Sequence, residues 1–215
     1  VSNAVRRQAG GTVTSLVGYG LAYDRRDDRI EPTSGFVGRI GNDLGGLGGT
    51  EHFVRSSASY THYYAIADEW VLSGGIDGGH IVGLSDDVNI VNRFFIGGDT
   101  FRGFKPGGIG VRDPASGDAL GANTYYTGTA EMGFPLGLPK EFGMKGRVFS
   151  IVGSAFDIDE ATAIVLSSTA LRASAGVGVT WISPLGPINI DLALPFLKQE
   201  FDQKEFFRFN FGTRF

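Results

Sequence analysis

Apolar and polar residues alternate with a period of two through several parts of the chain. In the last segment, 206–215, Phe207, Phe209 and Phe211 alternate with polar residues and glycine. The segment 188–196 has the same alternation. Successive side chains of a β-strand point to opposite faces, so a two-residue period predicts a strand with one apolar face.

Nine segments of the chain have the pattern and length of strands, and tilted strands of about ten residues can cross a bilayer. The 34 glycines and the 12% aromatic residues also favour an all-β chain, because aromatic residues are enriched in strands and glycine is a poor helix former. A further strand at 89–96 would change the count by one. The nine predicted strands are 12–23, 36–44, 53–66, 70–81, 124–134, 146–157, 176–181, 188–196 and 206–215.

The connections between the predicted strands alternate in length. The short class comprises 66–69, 135–145 and 183–187, with 24–35 fitting loosely, and the long class comprises 44–52, 82–123, 158–170 and 197–205. Bacterial outer-membrane barrels have short periplasmic turns and long external loops. The pattern therefore predicts an all-β fold, an antiparallel transmembrane β-barrel, here a partial barrel of about nine strands with a long external loop at 82–123.

A water-soluble barrel or sandwich is the alternative architecture, because its strands alternate in the same way. Such a protein packs its large residues inside, whereas a membrane barrel turns them towards lipid and fills its lumen with polar and small residues. The alternation of loop lengths and the aromatic residues at the end of the chain favour the membrane barrel.

Composition excludes several classes of function. The formal net charge of -4 gives no broad positive field for nucleic acid, and the chain has no cysteine for a disulfide or a thiolate metal site. No apolar run reaches the roughly 18 residues of a membrane-spanning helix, and the first residues lack a signal-peptide pattern.

Enzymatic and metal-binding readings also find little support, so we expect no catalytic residue, metal or cofactor. An outer-membrane protease is the nearest enzyme, but the three histidines show no evident pairing with acids. The acidic cluster lacks the spacing of a calcium loop. The histidines are His52, His62 and His80, and the acids are Asp157, Asp159 and Glu160.

The longest loop contains a glycine pair followed by an arginine between aromatic residues. The segment reads Gly97-Gly98-Asp99-Thr100-Phe101-Arg102-Gly103-Phe104. It resembles the Arg-Gly-Phe loop of the BamA family of outer-membrane protein assembly factors. The resemblance covers essentially the whole chain, because the later strands, the Pro184-Leu185-Gly186-Pro187 turn and the final Phe215 also fall where that family has them.

An arginine folded into a barrel lumen needs a carboxylate partner, because a desolvated charge without one is costly. Glu131, on the polar face of the next strand, is the predicted partner of Arg102. The resemblance implies a second carboxylate on the following strand, where this chain has the apolar Ile151, with Asp157 as a distant substitute. The alternative is a solvated Arg102 on a mobile external loop.

The last strand carries an apolar ladder that resembles the terminal signal by which outer-membrane barrels are recognised for assembly. Its residues are Phe207, Phe209, Phe211 and Phe215. A last strand with an unpaired edge can pair with another strand. The plainer interpretation is a lipid-facing edge strand, and the same residues can be both an assembly signal and a lipid-facing surface.

The odd strand count predicts that the chain is the carboxy-terminal portion of a longer barrel. Closed single-chain barrels have even strand counts, and the first and last predicted strands would meet in parallel. The resemblance implies a barrel of sixteen strands preceded by periplasmic repeats. An isolated piece, residues 1–215, would then oligomerise, close imperfectly or pair in a non-native way, because open sheet edges are not tolerated in lipid.

The function that the resemblance implies is non-enzymatic folding and insertion of β-barrel proteins into the bacterial outer membrane. The expected partners are outer-membrane lipids, unfolded outer-membrane proteins and accessory lipoproteins of an assembly complex, with no nucleic acid. The alternative is a polypeptide-secreting or passive pore of the same superfamily.

Overall fold

Nine strands form one antiparallel sheet in the computed structural model, which describes residues 11–46, 48–85, 87–159, 165–183 and 186–212. The sheet order is β1-β2-β3-β4-β7-β8-β9-β10-β11, and β5 and β6 form a separate small hairpin. The strands are β1 (Leu16–Asp24), β2 (Gly35–Gly45), β3 (Phe53–Ala67), β4 (Trp70–Gly83), β5 (Val111–Arg112), β6 (Ala119–Gly121), β7 (Thr124–Pro135), β8 (Met144–Phe156), β9 (Arg172–Ser183), β10 (Gly186–Leu197) and β11 (Phe207–Phe211). Short 3-10 helices lie at Ile90–Asn92 and Lys140–Phe142.

The predicted fold class is confirmed: within the described ranges the sheet is an all-antiparallel, partial barrel with β1 and β11 at its two edges. The nine predicted strands match the nine strands of the sheet. The alternative strand at 89–96 is not part of it. Its residues form a 3-10 helix and two single β-bridges, Phe94 with Ala122 and Ile96 with Ile109, inside the long loop.

Large apolar side chains occupy the outer face of the sheet. On β11, Phe207, Phe209 and Phe211 are each more than half exposed, and on β10 the outward residues Leu192 and Leu194 are also exposed. On these two strands, small and polar residues alternate with them on the inner face, as the two-residue period requires. Exposed leucine and phenylalanine in continuous rows are the surface that a lipid bilayer solvates. In the described part of the chain, no helix is long and apolar enough to span a bilayer.

A compact apolar core lies on the inner face, where we expected polar and small residues. It forms because the long connection between β4 and β7 folds back against the sheet and buries its own aromatic residues there. The core comprises Phe53, Ile81, Val88, Phe94, Ile96, Phe101, Phe104, Ile109, Ala122, Phe149, Ile151, Ala155 and Ala193. Inner-face Phe149 and Ile151, which would be unusual in a watery lumen, are explained by this cover.

The connections lie at two ends of the sheet. The short-turn end carries the β3–β4, β7–β8 and β9–β10 turns together with the 25–34 turn, and the long-loop end carries the other four connections. The 25–34 turn is ordered by its own carboxylates: Asp27 accepts hydrogen bonds from the backbone of Thr33 and Ser34, and Asp28 from Ile30 and Glu31.

Candidate functional site

The segment 97–104 folds into a tight loop because glycine occupies the positions with left-handed backbone. Gly97 has φ 134° and Gly103 has φ 99°, values that side chains with a Cβ rarely adopt. The Gly98 N–H donates to the Phe104 carbonyl at 2.8 Å, and the Thr100 hydroxyl donates to the Gly97 carbonyl at 2.9 Å. The loop therefore presents residues 101–104 towards the inner face of the sheet.

Two phenylalanines of this loop anchor it in the apolar core. Phe101 and Phe104 are both 0% exposed, and their ring centroids lie 5.2 Å apart at an interplanar angle of 86°. This edge-to-face geometry adds roughly 0.5–1.5 kcal/mol to the burial of the two rings. The Phe rings thus hold the backbone on either side of Arg102 in place.

Arg102 lies between an aromatic ring and two carboxylates. Its guanidinium carbon is 3.4 Å from the centroid of the Phe149 ring, and its side chain is 4% exposed. Arg102 Nη2 is 2.7 Å from Glu131 Oε2, and Nη1 is 3.8 Å from Asp191 Oδ1. The structure therefore brings Arg102 and Glu131 together inside the barrel wall, where the sequence predicts their contact.

A second arginine completes a charge-balanced group, which we call the inner quartet: Arg102, Glu131, Arg147 and Asp191. Arg147 Nη2 donates to Asp191 Oδ1 at 2.7 Å, and its Nη1 lies 4.0 Å from Glu131 Oε1. Asp191 is 1% exposed. The two positive and two negative groups compensate each other, which is the condition for burying Arg102, Arg147 and Asp191 beside the partly exposed Glu131.

The second carboxylate comes from β10, a strand for which the sequence motif predicts no such role. Ile151, at the position where the resemblance implies an acid, is buried in the apolar core beside Phe149. Asp191 on β10 approaches Arg102 instead, while Asp157 lies just beyond β8, where its carbonyl accepts a hydrogen bond from Asn123. The signal for Asp191 was present in the sequence, as the one carboxylate on the polar face of the alternating run 188–196.

Two more arginines stabilise the long loop by donating to its own carbonyl groups. Arg93 donates to the carbonyls of Val88 and Leu120, and Arg112 donates to those of Gly107 and Gly117. Burial lowers the pKa of Arg112 from its usual value. A loop with these internal bonds is a folded element and not a solvated connection.

The described phenylalanines of the predicted terminal signal line the outer face of the last strand. Phe207, Phe209 and Phe211 are exposed there. One edge of β11 pairs with β10, from Leu192–Phe207 to Ile188–Phe211. Phe215 lies outside the described residues, as does Glu160 of the acidic cluster.

An antiparallel sheet with an apolar outer face, a charged inner face and an arginine loop folded against it defines a β-barrel protein of the outer membrane. The chain belongs to the Omp85 superfamily, because the model of the Omp85 superfamily domain matches residues 2–215. The resemblance to the BamA family, drawn from the loop motif, is confirmed by the relatives described next.

The chain is 36% identical over 214 residues, 99% of its length, to the outer membrane protein assembly factor BamA of Neorickettsia risticii. It is 30% identical over 151 residues, 69% of its length, to the mouse sorting and assembly machinery component 50 homolog, of which it covers 32%. A crystal structure of BamA from Haemophilus ducreyi lacking POTRA domains 1-3 superimposes with a TM-score of 0.79 at 21% identity, over 90% of this chain and 41% of that one. That structure supports the fold.

The chain spans 29% of the length of the Neorickettsia protein. The chain forms a partial β-barrel of the bacterial outer membrane, and these relatives are named outer membrane protein assembly factors.

Proposed function

We propose that the protein containing this chain is an outer-membrane protein assembly and insertion factor, and that residues 1–215 form the carboxy-terminal portion of its barrel. The observation that carries the proposal is the ion pair between Arg102 and Glu131, which fixes a folded loop inside the sheet. A loop fixed in this way narrows the lumen, which in porins is a water-filled channel. The assembly names of the relatives point the same way.

The activity needs no covalent chemistry, and we propose that the protein is not an enzyme. An unfolded barrel strand entering lipid must satisfy its backbone N–H and C=O groups, and lipid offers no partner for them. A sheet edge offers such partners by strand pairing. Phe207, Phe209 and Phe211 would keep the last strand in the bilayer while its backbone is available to a client.

In this proposal the long-loop end of the sheet faces the outside of the cell and the short-turn end faces the periplasm. The partners are then outer-membrane lipids around the apolar face, unfolded outer-membrane proteins at the sheet edge and accessory lipoproteins on the periplasmic side. The terminal phenylalanines, with Phe215, would serve as the signal by which the protein itself is recognised for assembly.

The inner quartet would brace the barrel wall. Arg102 sits on the loop, whereas its partners lie on β7, β8 and β10, so one side chain connects three strands of the sheet. Movement of the loop would release these contacts together. The loop thereby holds the wall in the shape that clients encounter.

The test is complementation in cells depleted of the natural full-length protein. Replacing Arg102 by Ala in the full-length protein should lower the steady-state amount of several outer-membrane proteins at an unchanged level of the variant itself. Arg29→Ala is the matched control, because Arg29 is 84% exposed and its Nε lies 3.9 Å from Asp24. Normal outer-membrane protein levels with Arg102→Ala would refute the role of the loop.

Channel recordings separate this function from the alternative of a secreting or passive pore. An assembly factor with its loop docked should show low, unsteady conductance in planar bilayers, and Arg102→Ala should raise it. Steady conductance of the unaltered protein, together with unaffected outer-membrane protein levels on depletion, would favour the pore.

A further inference from the structure

The β10–β11 ladder ends before β10 does. The last pair of the ladder is Leu192 with Phe207, although β10 continues to pair with β9 as far as Leu197, with a shift in register between Pro195 and Leu197. The Ala193 N–H still donates to the Phe206 carbonyl at 2.9 Å. Two residues further, on the same side of the strand, Pro195 has no N–H to donate, so the next bond of the ladder cannot form there.

Beyond that point, residues 198–206 turn towards the inner face and pair with the arginine loop. Phe104 and Lys204 form an antiparallel bridge, and the Glu205 N–H donates to the Gly103 carbonyl at 2.9 Å. The Lys105 N–H donates to the Gln203 carbonyl at 2.9 Å, and the Gln203 N–H donates to the Gly108 carbonyl at 3.0 Å. Three backbone hydrogen bonds, made by Gln203 and Glu205, therefore join the segment that leads into the last strand to the Arg102 loop and the residues just after it.

A buried ion pair holds this segment in place. Arg172 and Asp202 are both 0% exposed at their side chains, and Arg172 Nε donates to Asp202 Oδ2 at 3.1 Å. Arg172 Nη1 also donates to Ser154 Oγ at 2.8 Å and to the Ser168 carbonyl at 2.7 Å. Asp202 accepts a further bond from the Gln199 N–H at 2.7 Å. The pair ties the 198–206 segment to the outer ends of β8 and β9.

A second, more exposed contact links the last strand directly to the arginine loop. Arg208, the first inward residue of β11, has its Nε 2.7 Å from Asp99 Oδ1, and its Nη1 bonds to Glu205 Oε2. Asp99 follows the Gly97-Gly98 turn of the loop. The start of β11 is thus fixed from two sides, by Arg172 through the 198–206 segment and by Asp99 through Arg208.

We infer that the Arg172–Asp202 pair is a positioning contact that sets where the last strand begins. It holds 198–206 on the arginine loop and away from the part of β10 beyond the β10–β11 ladder. The inference rests on the assembly function proposed above, in which the last strand and its edge receive clients. Releasing the pair would let 198–206 leave the loop, so the length and position of the paired part of β11 would vary.

Amide hydrogen exchange on the full-length protein in lipid nanodiscs tests the inference. With Asp202→Asn, exchange across 203–211 should be roughly tenfold faster than in the unaltered protein, while β2 and β3 exchange as before. Asp24→Asn is the control, because it removes another arginine-carboxylate pair, with Arg26, at the far end of the sheet. Equal exchange across 203–211 in the unaltered protein and Asp202→Asn would overturn the inference.

A double variant separates positioning from stability. Arg172→Met combined with Asp202→Leu removes both charges, and replacing a buried pair by apolar residues commonly restores stability. We expect the barrel to regain its resistance to denaturant while 203–211 continues to exchange quickly. Slow exchange in the double variant would overturn the inference, because the pair would then act through stability alone.

Ser154→Ala serves as a milder probe if Asp202→Asn fails to fold. It removes one partner of Arg172 and should change exchange across 203–211 in the same direction by a smaller factor. If Ser154→Ala folds and exchange across 203–211 is unchanged, the result would count against a positioning role for the Arg172–Asp202 pair.

Complementation separates the two proposals. If the unaltered protein fails to restore outer-membrane protein levels in depleted cells, the proposed function fails, and the exchange measurement still decides the position of the last strand. If the unaltered protein restores them and Asp202→Asn does not, both proposals are supported.

Discussion

Replacing Asp191 by Asn removes one negative charge from the inner quartet without changing the shape of the side chain. Asp191 Oδ1 lies 2.7 Å from Arg147 and 3.8 Å from Arg102, and the residue is 1% exposed. The variant leaves two guanidinium groups of the quartet with Glu131 as their shared carboxylate. The introduced amide oxygen can still accept a hydrogen bond, so the change isolates the charge.

The size of the effect follows from the distances and the burial. Two unit charges about 4 Å apart attract by roughly 4 kcal/mol at an effective dielectric constant of about 20. Removing one partner of a buried pair costs about 3–5 kcal/mol, because the remaining charge stays desolvated. We therefore expect Asp191→Asn to lower the free energy of unfolding by about 3–5 kcal/mol.

The second arginine provides the decisive comparison. Arg147→Met combined with Asp191→Asn restores the balance of charge, so the double variant should be no less stable than Asp191→Asn alone. Denaturant titration of the full-length protein in phospholipid vesicles, followed by tryptophan fluorescence, measures the double variant and both single variants. Glu31→Gln is the control, because its 2.7 Å pair with Lys145 is exposed and should contribute less than about 1 kcal/mol.

Simple additivity would refute this reasoning. If the double variant loses the sum of the two single losses to within about 0.5 kcal/mol, Arg147 and Asp191 do not depend on each other. The quartet would then be a coincidence of packing and not a charge-balanced unit.

Three further predictions concern the loop, the outer face and the short-turn end. Gly103→Ala should destabilise the barrel by about 1–3 kcal/mol, because the added Cβ would lie 3.0 Å from that of Ser174 at a φ of 99°; unchanged denaturant midpoints would contradict it. Phe209→Lys should weaken folding into vesicles by roughly 2–4 kcal/mol, because a cation would face lipid, and an unchanged folding yield would place Phe209 away from the bilayer. Hydrogen bonds from Thr33 and Ser34 hold the pKa of the Asp27 carboxyl well below its usual value. The stabilisation of the turn by the ionised Asp27 is present above the ordinary carboxyl pKa of about 3.9 and is lost as the pH falls towards the depressed value. Asp27→Asn should therefore speed amide exchange of the 25–34 turn at neutral pH, and less so in acid. A difference that does not depend on pH would exclude the charge of Asp27 as its cause.

The strands could be predicted from sequence because one physical rule specifies them. Each strand turns one face to lipid, so large apolar residues recur at every second position, as at Phe207, Phe209 and Phe211. The connections follow from the turn residues between these runs. Neither step depends on contacts between distant parts of the chain.

The interior could be predicted only in part because its contacts are long-range. Arg102 belongs to a recognisable loop motif, and Glu131 lies on the polar face of the next sheet strand, so their approach was predictable. Asp191 reaches Arg102 across the strands between β7 and β10, and no local pattern encodes that distance. The same holds for the apolar cover over Phe149 and Ile151, which exists because the long loop folds inwards.

The face that meets lipid can be measured directly on β4 with single introduced cysteines, because residues 1–215 contain none and any cysteine elsewhere in the full-length protein can be replaced by serine. A fluorophore attached in turn to cysteines at 72–77 of the full-length protein would be exposed to brominated lipid chains and to aqueous iodide. We expect lipid quenching when it replaces Leu72, Gly74 or Ile76, and iodide quenching at the alternate positions 73, 75 and 77. The opposite alternation, or the same quenching at every position, would contradict a barrel whose large side chains face the membrane and whose charged residues meet inside.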